Sequence, residues 1–144
     1  MWAKTGWREL GSGSDAALLL WAGDFEALLT VGARAIVCFS ANIRHADSRI
    51  RKGPMASAQS FDHVDLLIDW LNEVNYQLIL HQWVTWAPVF GSLSENSFSC
   101  RLDGYTIDFA EEPAVKEIKA VTRHRPYLGQ GTDGTWVARV TVDL

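Results

Sequence analysis

Asp143 and the terminal carboxylate of Leu144 are neighbouring acids, and two negative groups held that close need a counterion wherever they are ordered. Oxygen-only ligands suit a hard cation such as calcium or magnesium. Asp15, which opens an apolar run, is the candidate third ligand. The competing reading of the same residues is a frayed, solvated terminus. His124 is the second place where chemistry could sit. Its neighbours Arg123 and Arg125 disfavour an imidazolium, so the choice lies between a neutral ring that hydrogen-bonds or accepts a proton and a structural histidine. His45, His63 and His81 show no ligand spacing and read as surface or capping residues.

Other catalytic and cofactor signatures are missing. Gly11-Ser12-Gly13-Ser14 lacks the Lys-Ser/Thr of a phosphate loop and precedes an apolar strand, so it reads as a turn. No serine nucleophile elbow or His-Glu-x-x-His zinc helix occurs. Cys38 and Cys100 are far apart with no second pair, which fits neither a zinc site nor a disulfide framework; reduced thiols in a cytoplasmic protein are expected. Between Arg44 and Lys52 the bases Arg44, Arg49, Arg51 and Lys52 face only Asp47. Such a run is a solvated loop by default, with contact to RNA or an acidic partner as the alternative.

These residues need elements to hold them. Ala16–Trp21 is a short apolar run suited to a buried strand. Asp24 offers an N-cap, and Phe25, Leu28, Leu29, Ala33, Ile36 and Val37 recur at three- and four-residue steps, the stripe of an amphipathic helix ending near Phe39. Phe61 and Asp62 resemble a staple plus cap for a second helix bearing Leu66, Leu67, Trp70, Leu71, Val74 and Leu78. Period-two alternation predicts strands over Gln82–Phe90, Ser97–Leu102, Tyr105–Phe109, Val115–His124 and Thr135–Asp143, with turns at Gly104 and Asp133-Gly134. In the last strand Trp136, Ala138, Val140 and Val142 share one face; Val137, Arg139, Thr141 and Asp143 share the other. The expected fold class is α+β, with two amphipathic helices packed on one face of a mostly antiparallel sheet.

The chain's 144 residues, 48% hydrophobic and 21% charged, suit one domain over residues 1–144, since a domain of about 150 residues buries roughly 68–70% of its unfolded surface. A net charge of −4 argues against a general nucleic-acid binder, so any RNA role is local or indirect. Met1–Glu9 holds no apolar stretch of signal-peptide length and no run approaches the roughly 20 residues of a membrane span, so no membrane partner is expected. The seven tryptophans read as core and strand packing.

Val115-Lys116-Glu117-Ile118-Lys119-Ala120-Val121-Thr122-Arg123-His124 resembles the segment Glu-Val-Lys-Ala-(Ile/Val)-Thr-Tyr-His of the archease family. Gly134-Thr135-Trp136-Val137-Ala138-Arg139-Val140 through Asp143-Leu144 is similar to that family's closing strand, Leu66–Asn75 to its Leu-x-x-Trp-Leu-Asn-Glu-Leu helix, and Phe25–Phe39 to its first helix. The resemblance implies an accessory protein, not an enzyme, that activates an RtcB-type RNA ligase of transfer-RNA splicing by promoting its guanylylation and multiple turnover. It further implies contact with RNA only through that partner, and a divalent metal ion (calcium, or else magnesium or manganese) held by Asp15, Asp143 and Leu144. Lys119 and His124, inside the matching segment, are the further candidate functional residues. The chain departs from the family where Ser12-Gly13-Ser14 replaces His-Thr-Ala, Gly104-Tyr105 replaces Gly-Glu, Arg123 replaces Tyr, and Glu111 or Glu112 replaces a histidine. Two alternatives stand beside this reading. One is a repurposed interaction or chaperone-like module using exposed tryptophans and the Arg44–Lys52 loop; the other is a small hydrolase with His124 as base beside a metal-bound water.

Overall fold

The computed structural model describes residues 4–11, 15–41, 43, 49–111 and 116–144. Their elements are β1 (Gly6–Leu10), β2 (Asp15–Ala22), α1 (Phe25–Ala41), β3 (Met55–Gln59), α2 (His63–His81), β4 (Trp83–Thr85), β5 (Val89–Leu93), β6 (Ser97–Arg101), β7 (Gly104–Thr106), β8 (Ala120–Gln130) and β9 (Trp136–Asp143). All pairings between these strands are antiparallel. The class is α+β as expected, with the strands divided among three sheets: β1-β2-β9-β8, β3-β6-β5 and β4-β7.

The two helices lie side by side between the four-stranded sheet and the smaller ones. Alternation explains the first contact, because Ala16, Leu18, Leu20 and Ala22 of β2 and Ala138, Val140 and Val142 of β9 are all buried on the helix-facing side. Gly32 of α1 makes room for α2: a Cβ there would stand 2.8 Å from the Leu71 side chain. Trp70, wholly buried on α2, closes the other side of the core. Its ring lies 5.2 Å from Phe90 and 5.3 Å from Phe98, and its indole N–H donates to the Leu29 carbonyl at 2.7 Å.

Both helices are capped by aspartates. Asp24 accepts from the Ala27 N–H at 2.7 Å and Asp62 from the Asp65 N–H at 2.9 Å. The expected staple at Phe61 is not made, for that ring is 86% exposed and the cap stands alone. Phe25, His63 and Trp136 meet with ring centroids 4.8 to 5.5 Å apart. The helices therefore start at one end of the molecule and run in parallel toward the other, where β2 begins and β9 finishes.

Several strand boundaries differ from the periodic reading. Gln82 is the left-handed C-cap of α2, and the predicted Gln82–Phe90 strand splits around Pro88, which has no N–H to give a ladder. Gly104 lies inside β7 rather than in a turn; a Cβ there would stand 1.7 Å from the Val84 carbonyl oxygen, so its bareness lets β4 and β7 close. β1 and β3 arise where no strand was expected. Residues 112–115, the Ser12–Ser14 turn and Arg44–Ser48 of the basic run fall outside the described residues. Instead of ending at His124, β8 continues to Gln130 across a bulge: Thr122 faces Thr141 and Tyr127 faces Arg139, leaving Arg123–Pro126 opposite Val140 alone, with Arg125 at φ 48°.

Candidate functional site

The register of β2 on β9 runs from Asp15↔Asp143 to Ala22↔Trp136, so the two aspartates are direct cross-strand partners, and Asp143 lies on the face of β9 turned away from the helices. Residues so placed have Cβ atoms about 4.5–5.5 Å apart. Asp143 is exposed, and its carboxylate has no hydrogen bond or ion pair among the described residues. On the other flank of β9 the Lys119 N–H donates to the Asp143 carbonyl at 2.7 Å, and Ala120 is the β8 partner of Asp143. Leu144 is partly buried and packs against the core. Both helices point their carbonyl ends, with partial negative charge, toward this end of the molecule.

Carboxylates paired across a ladder are the oxygen-donor chemistry that hard divalent cations take. Two acids face each other across a ladder, like charges so opposed cost stability, and no described side chain brings a cation to Asp143. Among the described residues no three His, Cys, Asp or Glu side chains converge into a group that could hold a metal ion.

Two asparagines that sequence reasoning passed over position the strand beside the aspartates. Asn72 donates to the Val121 carbonyl and accepts from the Val121 N–H, both at 2.9 Å, and Asn75 donates to the Ile118 carbonyl at 2.8 Å. Residues 118–121 are thereby clipped to α2 and Lys119 is delivered to Asp143. The readable signal was polarity inside the helix stripe: Asn75 is buried although it carries an amide. A groove of about 360 Å³ opens beside this clip, lined among others by Tyr76, Leu80, Glu117 and Lys119.

His124 does not join the aspartates. It sits exposed on the bulge, its N–H on the Thr122 hydroxyl at 3.2 Å and its carbonyl accepting from the Thr141 hydroxyl at 3.1 Å. Arg123 turns from His124 to α2 and pairs with Asp65 at 2.8 Å and Asp69 at 3.0 Å. Those two acceptors hold the guanidinium still more firmly protonated. Asp69 is further anchored by the Ser60 hydroxyl at 2.6 Å.

A second missed acid is Asp103, at the loop between β6 and β7. Arg101 grips it with two bonds of 2.7 and 2.9 Å, and the Gly53 N–H adds a third at 3.0 Å. The arginine first, and the Gly53 amide after it, hold this nearly buried carboxyl below the usual carboxylate range. Cys100 is buried and its thiol is pushed up to about 12, the mark of a core residue rather than a nucleophile. None of the six described tryptophans is exposed: Trp70 is wholly buried and the others are half-buried.

Comparison with known proteins places this fold. The description Archease protein family (MTH1598/TM1083) matches residues 7–144. The chain belongs to the archease family. A protein archease from Methanopyrus kandleri is 29% identical over 141 residues, spanning 96% of this chain and 99% of the relative. The solution structure of protein 1598 from Methanobacterium thermoautotrophicum superposes with a TM-score of 0.66 at 20% identity, covering 96% of this chain and 99% of that one. A Thermotoga maritima structure described as an archease and possible chaperone gives a TM-score of 0.58 at 16% identity, covering 95% and 96%. Against archease, the Arg123 replacement acquires a structural reason in its grip on α2, and Tyr105, where the family has Glu, is buried.

Proposed function

We propose that this archease acts as a metal-dependent accessory protein of an RtcB-type RNA ligase, promoting the ligase's guanylylation, and that Asp15, Asp143 and Leu144 hold the divalent ion. The observation that carries this reading is the direct cross-strand opposition of Asp15 and Asp143. Held by these residues, a divalent ion would neutralise their charge and supply a hard Lewis-acid centre at this end of the molecule. Asn72 and Asn75 keep the Lys119 strand in place beside it, and Lys119, exposed there, adds a charge that can meet an acidic or phosphate group of the partner. His124 is assigned no proton transfer.

Calorimetric titration of calcium, magnesium and manganese into chelator-treated protein tests the site, with ligase guanylylation assayed in parallel. Saturable binding lost in both Asp15→Ala and Asp143→Ala, together with loss of ligase stimulation, is the expected result. An Asp143→Ala protein that binds the ion and stimulates the ligase normally would sink the proposal. Of the interaction-module alternative, the tryptophan half finds no support, since no described tryptophan is exposed, and its loop half lies largely on residues 44–48, outside the described ones.

A further inference from the structure

The groove beside the asparagine clip holds a polar group that the fold leaves without a partner. It has a volume of about 360 Å³, inside the roughly 300–1,000 Å³ range of small-ligand clefts, and runs between the last turns of α2 and residues 117–119. Asn72 uses both ends of its amide on Val121, whereas Asn75 donates to the Ile118 carbonyl and its oxygen accepts no hydrogen bond among the described residues. Asn75 lines the groove and is only 6% exposed, so it is a buried acceptor short of a donor. Turning the amide over would set its oxygen against the Ile118 carbonyl, so the missing partner is an N–H or O–H. Tyr76, Leu80 and Lys119, all exposed, are the wall side chains able to turn aside for it.

Charge selects the donor. Glu117 lines the groove, exposed and without a hydrogen bond or ion pair among the described residues. The carbonyl end of α2, with its partial negative charge, forms the same wall. Tyr76 is 42% exposed and carries a ring whose faces attract cations, while Ile79 and Leu80 supply apolar surface. Against these stands Lys119, the one cation among the lining residues. An acceptor, a carboxylate, a ring and an apolar wall together match a charged nitrogen group carried on an alkyl stem.

We infer that this groove binds an alkyl guanidinium or ammonium cation. Its N–H donates to the Asn75 oxygen, its charge meets Glu117, and its stem lies on Ile79 and Leu80 beside the Tyr76 ring. Arginine and lysine side chains share this chemistry with free polyamines. The site is separate from the proposed metal site and does not depend on it.

The test is a titration of argininamide into the chelator-treated full chain, followed by NMR of the Asn75 side-chain amide and the backbone amides of residues 117–119. Spermidine and citrullinamide, the uncharged isostere of argininamide, run in parallel. Saturable movement in the millimolar range is expected for a ligand of this size, with citrullinamide several-fold weaker. Glu117→Gln and Tyr76→Leu should each weaken binding roughly two- to fivefold, and Lys119→Gln should tighten it about twofold. All three side chains are exposed, so the core is untouched. Binding of argininamide without spermidine assigns the groove to a guanidinium side chain; binding of spermidine with the same dependence on Glu117 assigns it to free polyamines. No movement at Asn75, equal binding of citrullinamide, or indifference to both Glu117→Gln and Tyr76→Leu overturns the inference. Binding that survives Glu117→Gln and is lost in Asp143→Asn also overturns it, since the cation then sits on the aspartates. Failure of the metal reading would leave this titration unchanged.

Discussion

Two pairs of aspartates in this molecule are held close by secondary structure, and they have opposite surroundings. Asp65 and Asp69 stand one turn apart on α2 and share the Arg123 guanidinium, which reaches them from the β8 bulge. Asp15 and Asp143 stand opposite each other across β2 and β9, and the Asp143 carboxylate meets no described cation. Asp103, gripped by Arg101, belongs with the first pair. Among the described residues, arginines thus meet the acid pair of α2 and the single acid of the β6–β7 loop. At the β2–β9 pair no described cation meets Asp143, and that contrast is what the proposed metal site rests on.

The sharpest way to break this contrast is to add metal. At a hundredfold excess over Kd an ion that binds only the folded state contributes about 2.7 kcal/mol, read as a rise in Tm. Asp143→Asn should abolish that rise. A Tm gain undiminished by the substitution would show that the ion sits elsewhere.

The next effect concerns an acid that has its arginine. Asp103→Asn removes a charge-assisted, nearly buried contact and should cost about 1.5–3 kcal/mol in urea unfolding. Its pH signature has a definite sign. Because the folded protein holds the Asp103 carboxyl below its ordinary range, the contact stabilises at neutral pH and is lost as pH falls through the carboxylate range. The variant should therefore have a flatter acid limb than the parent.

Arg123→Gln leaves Asp65 and Asp69 without their partner, but the guanidinium is more than half exposed. A loss of about 0.5–1 kcal/mol that shrinks in high salt is expected from thermal melts. Smallest, and opposite in sign, Asp143→Asn in metal-free buffer should stabilise by a few tenths of a kcal/mol, by removing a like-charge cross-strand pair. If that variant were instead destabilised without metal, Asp143 would have a partner of its own and the contrast would collapse.

The parts of this architecture written in local pattern were legible in the sequence. The three- and four-residue stripes of both helices, their aspartate caps and the alternation of β9 follow from side-chain geometry within one element. Alternation even put Asp143 on the face away from the core. What it lacked was the register of β2 on β9, a property of two strands at once, which turns Asp15 from a candidate into a direct partner. β3 was missed because Met-Ala-Ser-Ala-Gln has little strand propensity and is made a strand by pairing with β6. The bulge escaped because a run of strand-like residues says nothing about how many of them one partner residue will face. Arg123 was misjudged for the same reason, since its partners lie on an element remote in sequence.

The parallel course of α1 and α2 has an electrical consequence. Helices that share a direction add their dipoles, so the end where Phe25 and His63 meet is biased positive and the end where β9 finishes is biased negative. A free cation and a phosphate drifting past would be drawn to opposite ends of the same molecule before touching a ligand, and added salt should slow both captures.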